Sequence, residues 1–305
     1  METRDGLFFA VKGLVHPSEK VVAYLRYVLS TSGEREKRGR RYRRMYDFAE
    51  QERLLRRKYP QYLFSDPVFG QVLQGVPHRY IKRIYNPRLR LRDLKEGSLL
   101  DLAEREALAF AQLLQEEAEV TWSSLGVSGP LSIELPTANS DIDLVVSGTR
   151  NSWALYDTLR ELVENPSSGV GRLDQESVEV LYAYRAKHRR VAFEDLVGNE
   201  RHEVIQAKYG DRDYFIRFIK GPEEIAERYG DKRYRPVGRA KIKAMVANDE
   251  EAIFTPCPYS VSDVSFIRGR GVSGLTEIAS YRGRFCEQAR QGEARPSLLL
   301  ENWKP

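Results

Sequence analysis

The segment from residue 141 to residue 146 places two aspartates two positions apart at the start of an apolar run. It reads Asp141-Ile142-Asp143-Leu144-Val145-Val146. Its alternation and β-branched content predict a strand, and side chains two positions apart on a strand share one face. Asp141 and Asp143 are therefore expected to project together, with Cα atoms roughly 6–7 Å apart. Two carboxylates so arranged on an anchored strand can share a divalent cation.

Helical and β-prone stretches alternate on both sides of this strand. Residues 97–119 show helical periodicity, with Ser98 as the expected N-cap, and further helices are predicted at 152–164 and 177–189. A second strand is predicted at 214–219, where aromatic and β-branched residues alternate with other types. Helices interleaved with strands indicate an α/β core.

The two ends of the chain differ in character from this core. Residues 6–30 are consistent either with a hairpin or with a strand followed by a helix, and the pattern does not separate them. Beyond residue 232, short β-prone runs are punctuated by proline and glycine. We therefore predict an α/β (α+β) protein of three parts: a basic N-terminal accessory domain at 1–95, the core at 96–231, and a small β-rich domain at 232–305.

Composition excludes several classes of protein. A chain of 305 residues with 41% apolar content is long enough to bury a core. Cys257 and Cys286 lie in no CxxC pair and beside no histidine, so the sequence gives no support to a disulfide framework or a zinc site. The N-terminus has no signal-like apolar run, and no stretch is long enough to span a bilayer. We expect a cytoplasmic protein with no membrane partner.

Cations are concentrated between residues 35 and 44. Seven of these ten positions are basic, namely Arg35, Lys37, Arg38, Arg40, Arg41, Arg43 and Arg44. Tyr42 and Tyr46 are interleaved with or adjacent to them. Such a run is typical of a solvated loop, but basic and aromatic residues together also suit a nucleic-acid backbone with stacked bases. The sequence leaves both interpretations open.

The spacing upstream of the acidic strand resembles a known superfamily. Gly129-Pro130 begins twelve positions before Asp141. This arrangement resembles the signature of the DNA polymerase β nucleotidyltransferase superfamily, in which a Gly-Ser or Gly-Gly pair precedes an Asp-hydrophobic-Asp strand. Residues 8–13, 24–27 and 280–285 look like an archaeal group of predicted nucleotidyltransferases. The resemblance implies a nucleotidyltransferase core with a mixed sheet and flanking helices.

Two positions depart from the superfamily pattern. Pro130 stands where a serine or glycine is usual, and it supplies neither an N–H nor a hydroxyl, so Ser128 or Ser132 would have to contact the triphosphate. The third carboxylate of the superfamily lies on a later strand, but the corresponding position here is Phe215. Asp213 shares a face with that position and is our candidate, with Asp211 as a weaker one.

The resemblance implies metal-dependent transfer of a nucleotidyl group from a nucleoside triphosphate, with ATP as the expected nucleotide. Mg²⁺ or Mn²⁺ would be held by Asp141, Asp143 and Asp213. Lys208 is a further candidate for balancing triphosphate charge. The residues expected to contact the nucleotide are Ser128, Gly129, Ser132, Ser140, Arg217 and Lys220.

The expected acceptor is an RNA, with tRNA as one candidate. Two alternatives remain open at this point: transfer of AMP to a protein hydroxyl, as in toxin–antitoxin systems, and a catalytically degenerate RNA-binding protein on the same fold. The departures at Pro130 and Phe215 make the last of these credible. The sequence does not determine the oligomeric state.

Overall fold

The computed structural model describes residues 1–174, 177–179, 203–235, 237–269 and 271–300. The strands in chain order are β1 (Glu2–Thr3), β2 (Phe8–Val11), β3 (Lys20–Leu29), β4 (Arg35–Lys37), β5 (Arg40–Arg44), β6 (Leu63–Asp66), β7 (Gln71–Pro77), β8 (Ile81–Arg83), β9 (Leu125–Val127), β10 (Ile142–Ser147), β11 (Val170–Gly171), β12 (Gln206–Tyr209), β13 (Arg212–Ile219), β14 (Ala240–Asn248), β15 (Cys257–Gly269), β16 (Glu277–Ser280) and β17 (Ala294–Leu300). The helices are α1 (Phe48–Lys58), α2 (Pro87–Glu96), α3 (Leu102–Glu117), α4 (Gly129–Ser132) and α5 (Thr149–Glu164). The fold is mixed α+β with several sheets.

The chain forms two compact units that are not contiguous in sequence. The first unit contains Met1–Val28, Phe48–Lys82 and Ile225–Pro305, and the second contains Leu29–Asp47 and Arg83–Glu224. These bounds differ from the three consecutive domains expected from the sequence, since residues on both sides of the core belong to one unit. Composition changes along a chain mark boundaries in sequence, but they do not show which distant segments pack together.

The first unit is rich in antiparallel strands. β2 and β3 pair antiparallel, so the segment at 6–30 adopts the hairpin alternative. The β-rich character predicted beyond residue 232 is confirmed by a four-stranded sheet in the order β16-β15-β14-β17. Cys257 and Cys286 are both buried in this unit, and neither forms a disulfide. Across the described residues, no helix is long and apolar enough to cross a membrane.

The second unit is built on a five-stranded mixed sheet in the order β11-β12-β13-β10-β9. β10 and β13 run parallel at its centre, while the other neighbours pair antiparallel. Both strands predicted from the acidic segment and from 214–219 are therefore confirmed, and they lie side by side. The helix predicted at 152–164 is also confirmed and begins three residues earlier, at Thr149.

The helix predicted at 97–119 is confirmed, but its start is not where we expected it. Ser98 is not the N-cap, because α3 begins at Leu102 behind Asp101. The Asp101 side chain accepts from the Glu104 N–H, and the Glu104 side chain accepts from the Asp101 N–H, which forms a capping box. This reciprocal pair satisfies two backbone donors, whereas Ser98 has no such partner three positions on. The helix predicted at 177–189 lies almost entirely outside the described residues.

One face of the central strands is the core of the second unit. Ile142, Leu144 and Val146 of β10 are buried, as are Tyr214 and Ile216 of β13. Helices α3 and α5 pack on this face. Phe110 of α3 stands with its ring centroid 4.7 Å from that of Tyr214. Because strand residues alternate, burial of this face leaves the odd-numbered positions of both strands on the opposite face.

Candidate functional site

The face of β10 opposite the helices carries the two predicted aspartates. Asp143 and Val145 are half-buried there, while their neighbours Ile142 and Leu144 are fully buried. Asp141 immediately precedes the strand and is exposed. The expectation that Asp141 and Asp143 share a face separate from the core therefore agrees with the strand geometry.

Asp213 lies on the neighbouring strand beside this pair. The parallel register places Ile142 opposite Tyr214 and Asp143 opposite Phe215. One further step in the same direction places Asp141 beside Asp213, on the same face. Phe215 is half-buried directly across from Asp143, at the position where the superfamily pattern has its third carboxylate. Asp211 is exposed in the two-residue turn between β12 and β13.

The carboxylates are close enough to alter one another's ionisation. Burial raises the pKa of Asp141 to about 6, and repulsion from Asp143 adds to the increase, while Arg35 and Arg212 oppose it. Packing against protein removes water from part of the Asp141 carboxyl, and this desolvation is the largest of these effects. Burial also raises the pKa of Asp213, followed by repulsion from Asp141. A concentration of like charge of this kind favours binding of a cation.

Gly129 makes the closest backbone approach to this acidic face. Its backbone has φ +60°, and an added Cβ would lie 1.9 Å from Oδ2 of Asp143 and 2.6 Å from its Cγ. The Ser128 N–H donates to the Asp143 carbonyl at 2.7 Å. The turn between β9 and α4 is thus in direct contact with Asp143 at a position that only glycine can occupy without displacement.

The other residues of this turn occupy different environments. Pro130 falls in the first turn of α4, where a missing N–H removes no intrahelical hydrogen bond. Ser128 is half-buried beside Asp143, and its side chain makes no capping hydrogen bond. Ser132 is buried at 5% exposure. Of the two serines predicted to contact phosphate, Ser128 is therefore the more accessible.

The buried Arg35 and the half-buried Arg212 hold the loop that leads into Asp141. The Arg35 guanidinium donates to the Leu135 carbonyl at 2.5 Å and to the Ser140 hydroxyl at 3.3 Å. Arg212 donates to the carbonyls of Ala138 and Ser140, at 2.9 and 2.8 Å. The Ser140 hydroxyl, predicted to contact nucleotide, also accepts from a backbone N–H within its own loop at 2.9 Å. In this structure Ser140 stabilises the loop.

Sequence reasoning did not identify Arg35 or Arg212 as part of the site. Arg35 was one of seven cations in a run, and no local pattern distinguishes it from the others. Its carbonyl partner lies 100 residues along the chain. Arg212 is the first residue of β13, and its side chain also pairs with Glu106 on α3. Only the tertiary packing shows that both side chains hold the loop before Asp141.

The predicted cations lie at different distances from the carboxylates. Lys208 faces Asp213 across β12 and β13, and its ammonium donates to Asp174 at 2.6 Å. Arg217 shares the acidic face, opposite Val145 and two positions beyond Phe215. Lys220 follows the far end of β13, seven residues after Asp213, which is roughly 23 Å along the strand. The structure brings Lys208 and Arg217 to the acidic face but leaves Lys220 at the other end of the sheet.

The donor set fits a hard divalent cation only in part. Carboxylate oxygens are the ligands that Mg²⁺ and Mn²⁺ favour, and the repulsion at Asp141 is the kind that a cation relieves. Within the described part of the chain, however, no three His, Cys, Asp or Glu side chains form a ready-made metal site. Asp141 and Asp143 would therefore supply the first ligands, and Asp213, water or substrate phosphate the remainder.

Comparison with known proteins places the chain in a family but gives it no activity. The uncharacterized protein MJ1086 of the archaeon Methanocaldococcus jannaschii is 30% identical over 301 residues. The aligned region covers 96% of this chain and 86% of the relative. No family model matches the chain, and no solved structure matches it. The archaeal source of the relative agrees with the predicted archaeal group. On this near full-length identity, the chain belongs to the same family as the uncharacterized protein MJ1086.

Proposed function

We propose that the second unit is a polymerase β-type nucleotidyltransferase core that transfers NMP from a nucleoside triphosphate to an acceptor hydroxyl. One observation carries the proposal: Asp143 lies on the face of β10 opposite the helices, in contact with the turn at Gly129, and Asp141 immediately precedes the same strand. The mixed sheet with a parallel central pair and helices on one face supports the same reading. Asp213, on the parallel neighbour, supplies the third carboxylate of the proposed site.

The proposed reaction forms a bond between the acceptor oxygen and the α-phosphorus and breaks the bond from that phosphorus to the bridging oxygen. Pyrophosphate leaves, and the acceptor proton is lost to solvent. A bound Mg²⁺ or Mn²⁺, held by Asp141, Asp143 and Asp213, would supply charge neutralisation for phosphates and acceptor. The chain itself orients the substrate, since Gly129 admits a close backbone approach and Arg217 places positive charge on the same face.

An RNA acceptor, with tRNA as one candidate, and ATP as the nucleotide remain part of this proposal. The RNA acceptor is supported by the basic segment at 35–44, which belongs to the same unit as the carboxylates. The oxygen-rich acidic face does not distinguish one triphosphate from another. The labelled products therefore have to show which nucleotide is used and which molecule accepts it.

A second candidate function is RNA binding without catalysis. Two observations favour it: Phe215 stands across from Asp143 where a carboxylate is expected, and the described residues contain no ready-made three-ligand metal site. Transfer of AMP to a protein hydroxyl is a further alternative on the same catalytic face. The three readings predict different labelled products.

The test is incubation of the purified protein with each α-labelled nucleoside triphosphate, Mg²⁺ or Mn²⁺, and either total RNA or its own protein pool. Label in RNA is the expected result, label in protein supports the AMP-transfer alternative, and absence of label with RNA binding supports the third reading. Asp141→Asn and Asp143→Asn preserve side-chain size but remove the charge, and each should lower transfer by at least roughly a hundredfold.

The third carboxylate has a matched control within the same hairpin. Asp213→Asn should lower both transfer and Mn²⁺ affinity, measured by titration calorimetry. Asp211→Asn removes the same charge two positions away, in the exposed turn, and should leave both nearly unchanged. Equal losses in the two variants would show that Asp213 has no special role, and full transfer by Asp141→Asn would overturn the proposed function.

A further inference from the structure

The basic segment forms an ordered hairpin rather than an irregular loop. β4 and β5 pair antiparallel, with Arg35 opposite Tyr42 and Lys37 opposite Arg40. The two turn residues, Arg38 and Gly39, have φ +50° and +72°. Positive φ at both central positions is the conformation of a type I′ turn, which suits the twist of a two-residue hairpin. The cations of the run therefore have fixed places.

The hairpin separates its cations into two groups. Arg35 and Lys37 are buried, at 7% and 9% exposure. Arg35 holds the loop before Asp141, and Lys37 donates to the Ile133 carbonyl at 2.7 Å. These two are anchors. The exposed cations lie at and just after the turn, next to Lys37.

Arg38, Arg40 and Arg41 form this exposed group, which we call the arginine tip. Seven cations against two carboxylates between residues 33 and 44 give this short segment a charge equal to the +5 of the whole chain. Tyr46, with 41% of its surface exposed, lies just beyond β5 and has the Arg44 guanidinium 4.8 Å from its ring centroid. Guanidinium groups beside an exposed aromatic ring suit phosphates and bases of a single strand.

The anchors place the arginine tip near the acidic face. Arg35 donates to the hydroxyl of Ser140, the residue directly before Asp141, at 3.3 Å. Arg38 follows Arg35 by three residues, which is about 10 Å along a strand. A polyanion held at the tip would thus approach the carboxylates from a surface of opposite charge. This arrangement lets a negative acceptor come near Asp141 and Asp143 despite their repulsion.

We propose that the arginine tip binds the phosphate backbone of a single-stranded RNA and delivers its end to the acidic face. The delivery step rests on the proposed function, because nucleotidyl transfer is what would act on the delivered RNA end. The binding itself does not require catalysis. Backbone contacts carry no sequence preference, so binding should be strongly salt-dependent and tolerant of sequence.

The test is fluorescence anisotropy with a labelled single-stranded RNA, in EDTA and without nucleotide. The tip variant combines Arg38→Asn, Arg40→Gln and Arg41→Gln, where asparagine tolerates the positive φ of the turn. Its affinity should fall by roughly tenfold or more at low salt, and the slope of log K against log salt should shrink by about 2, for three lost phosphate contacts. Replacing the same three arginines with lysine should keep the slope, and thermal unfolding checks that each variant is folded.

A control variant removes the same charge elsewhere in the second unit. Arg92→Gln, Arg105→Gln and Arg160→Gln change exposed positions on α2, α3 and α5. Affinity should stay close to that of the unchanged protein. Equal losses in the tip and control variants, an unaffected tip variant, or displacement of RNA by polyglutamate of equal charge would each overturn the proposal.

Catalytic and binding failures remain distinguishable. The variant Asp141→Asn with Asp143→Asn should bind RNA at least as tightly as the unchanged protein in EDTA, because it loses negative charge near the bound strand. Tip-dependent RNA binding without any nucleotidyl transfer would support this inference and overturn only the proposed activity. Transfer to RNA with no dependence on the arginine tip would support the proposed activity and overturn this inference.

Discussion

Gly129→Ala tests whether the glycine turn and the Asp143 carboxylate are packed as the structure shows. The new methyl group would start 1.9 Å from Oδ2 of Asp143, far inside contact distance, so the carboxylate or the turn has to move. The left-handed backbone at φ +60° adds strain of roughly 1–2 kcal/mol for any residue with a Cβ. Displacement of a packed side chain adds about 1–3 kcal/mol.

Gly210→Ala is the matched control for the strain of the left-handed backbone. Gly210 has nearly the same conformation, with φ +57°, but no atom lies within 4 Å of an added Cβ. It should lose only the roughly 1–2 kcal/mol of left-handed strain. The free energy of unfolding, measured by urea denaturation, should therefore fall by about 2–5 kcal/mol in Gly129→Ala, the sum of the two terms, and by clearly less in Gly210→Ala.

A double-mutant cycle assigns the difference to Asp143. Asp143→Ala removes Oδ2 and Cγ, the two atoms nearest the new methyl group, and leaves only its Cβ at 2.9 Å. The combined variant should be more stable than the sum of the single losses predicts, by about 1–2 kcal/mol. Equal destabilisation by Gly129→Ala and Gly210→Ala, or strict additivity in the cycle, would refute the packing on which the candidate site depends.

Two further predictions concern the charge of Asp141 and the support of the loop before it. The pKa of Asp141 rises from 3.8 to about 6 on folding. The folded state therefore binds the Asp141 proton more tightly than the unfolded chain does, and the stability that this provides is lost as pH rises through that window. Asp141→Asn should accordingly raise Tm at pH 7.5 but hardly at pH 4. The same Tm difference at both pH values would contradict this, and differential scanning fluorimetry measures it. Arg35→Met should lower the free energy of unfolding by about 1–3 kcal/mol, because the buried Leu135 carbonyl loses its donor, whereas the exposed Arg41→Met should change it by less than about 0.5 kcal/mol. Urea denaturation of both variants checks the second prediction, which fails if their losses are equal.

Local periodicity accounts for what was predictable in the acidic strand. Alternation along 141–146 depends only on the geometry of an extended chain, so the shared face of Asp141 and Asp143 could be predicted without any partner strand. The same reasoning identified the strand ending at Ile219 and the apolar stripe of α3. It located the start of α3 wrongly, because Ser98 and Asp101 are both capable caps and only Asp101 has a reciprocal partner.

The sequence by itself determined the two central strands and helices α3 and α5, the apolar and acidic faces of β10, and the position of the basic run. The tertiary structure decided that β13 lies parallel to β10 in the register that sets Asp213 beside Asp141, and that Arg35 holds a carbonyl 100 residues away. It also separated Lys220 from the carboxylates and joined distant segments into two units. Periodicity is a property of neighbouring residues, whereas register and long-range hydrogen bonds depend on which surfaces pack together, and no local pattern encodes that choice.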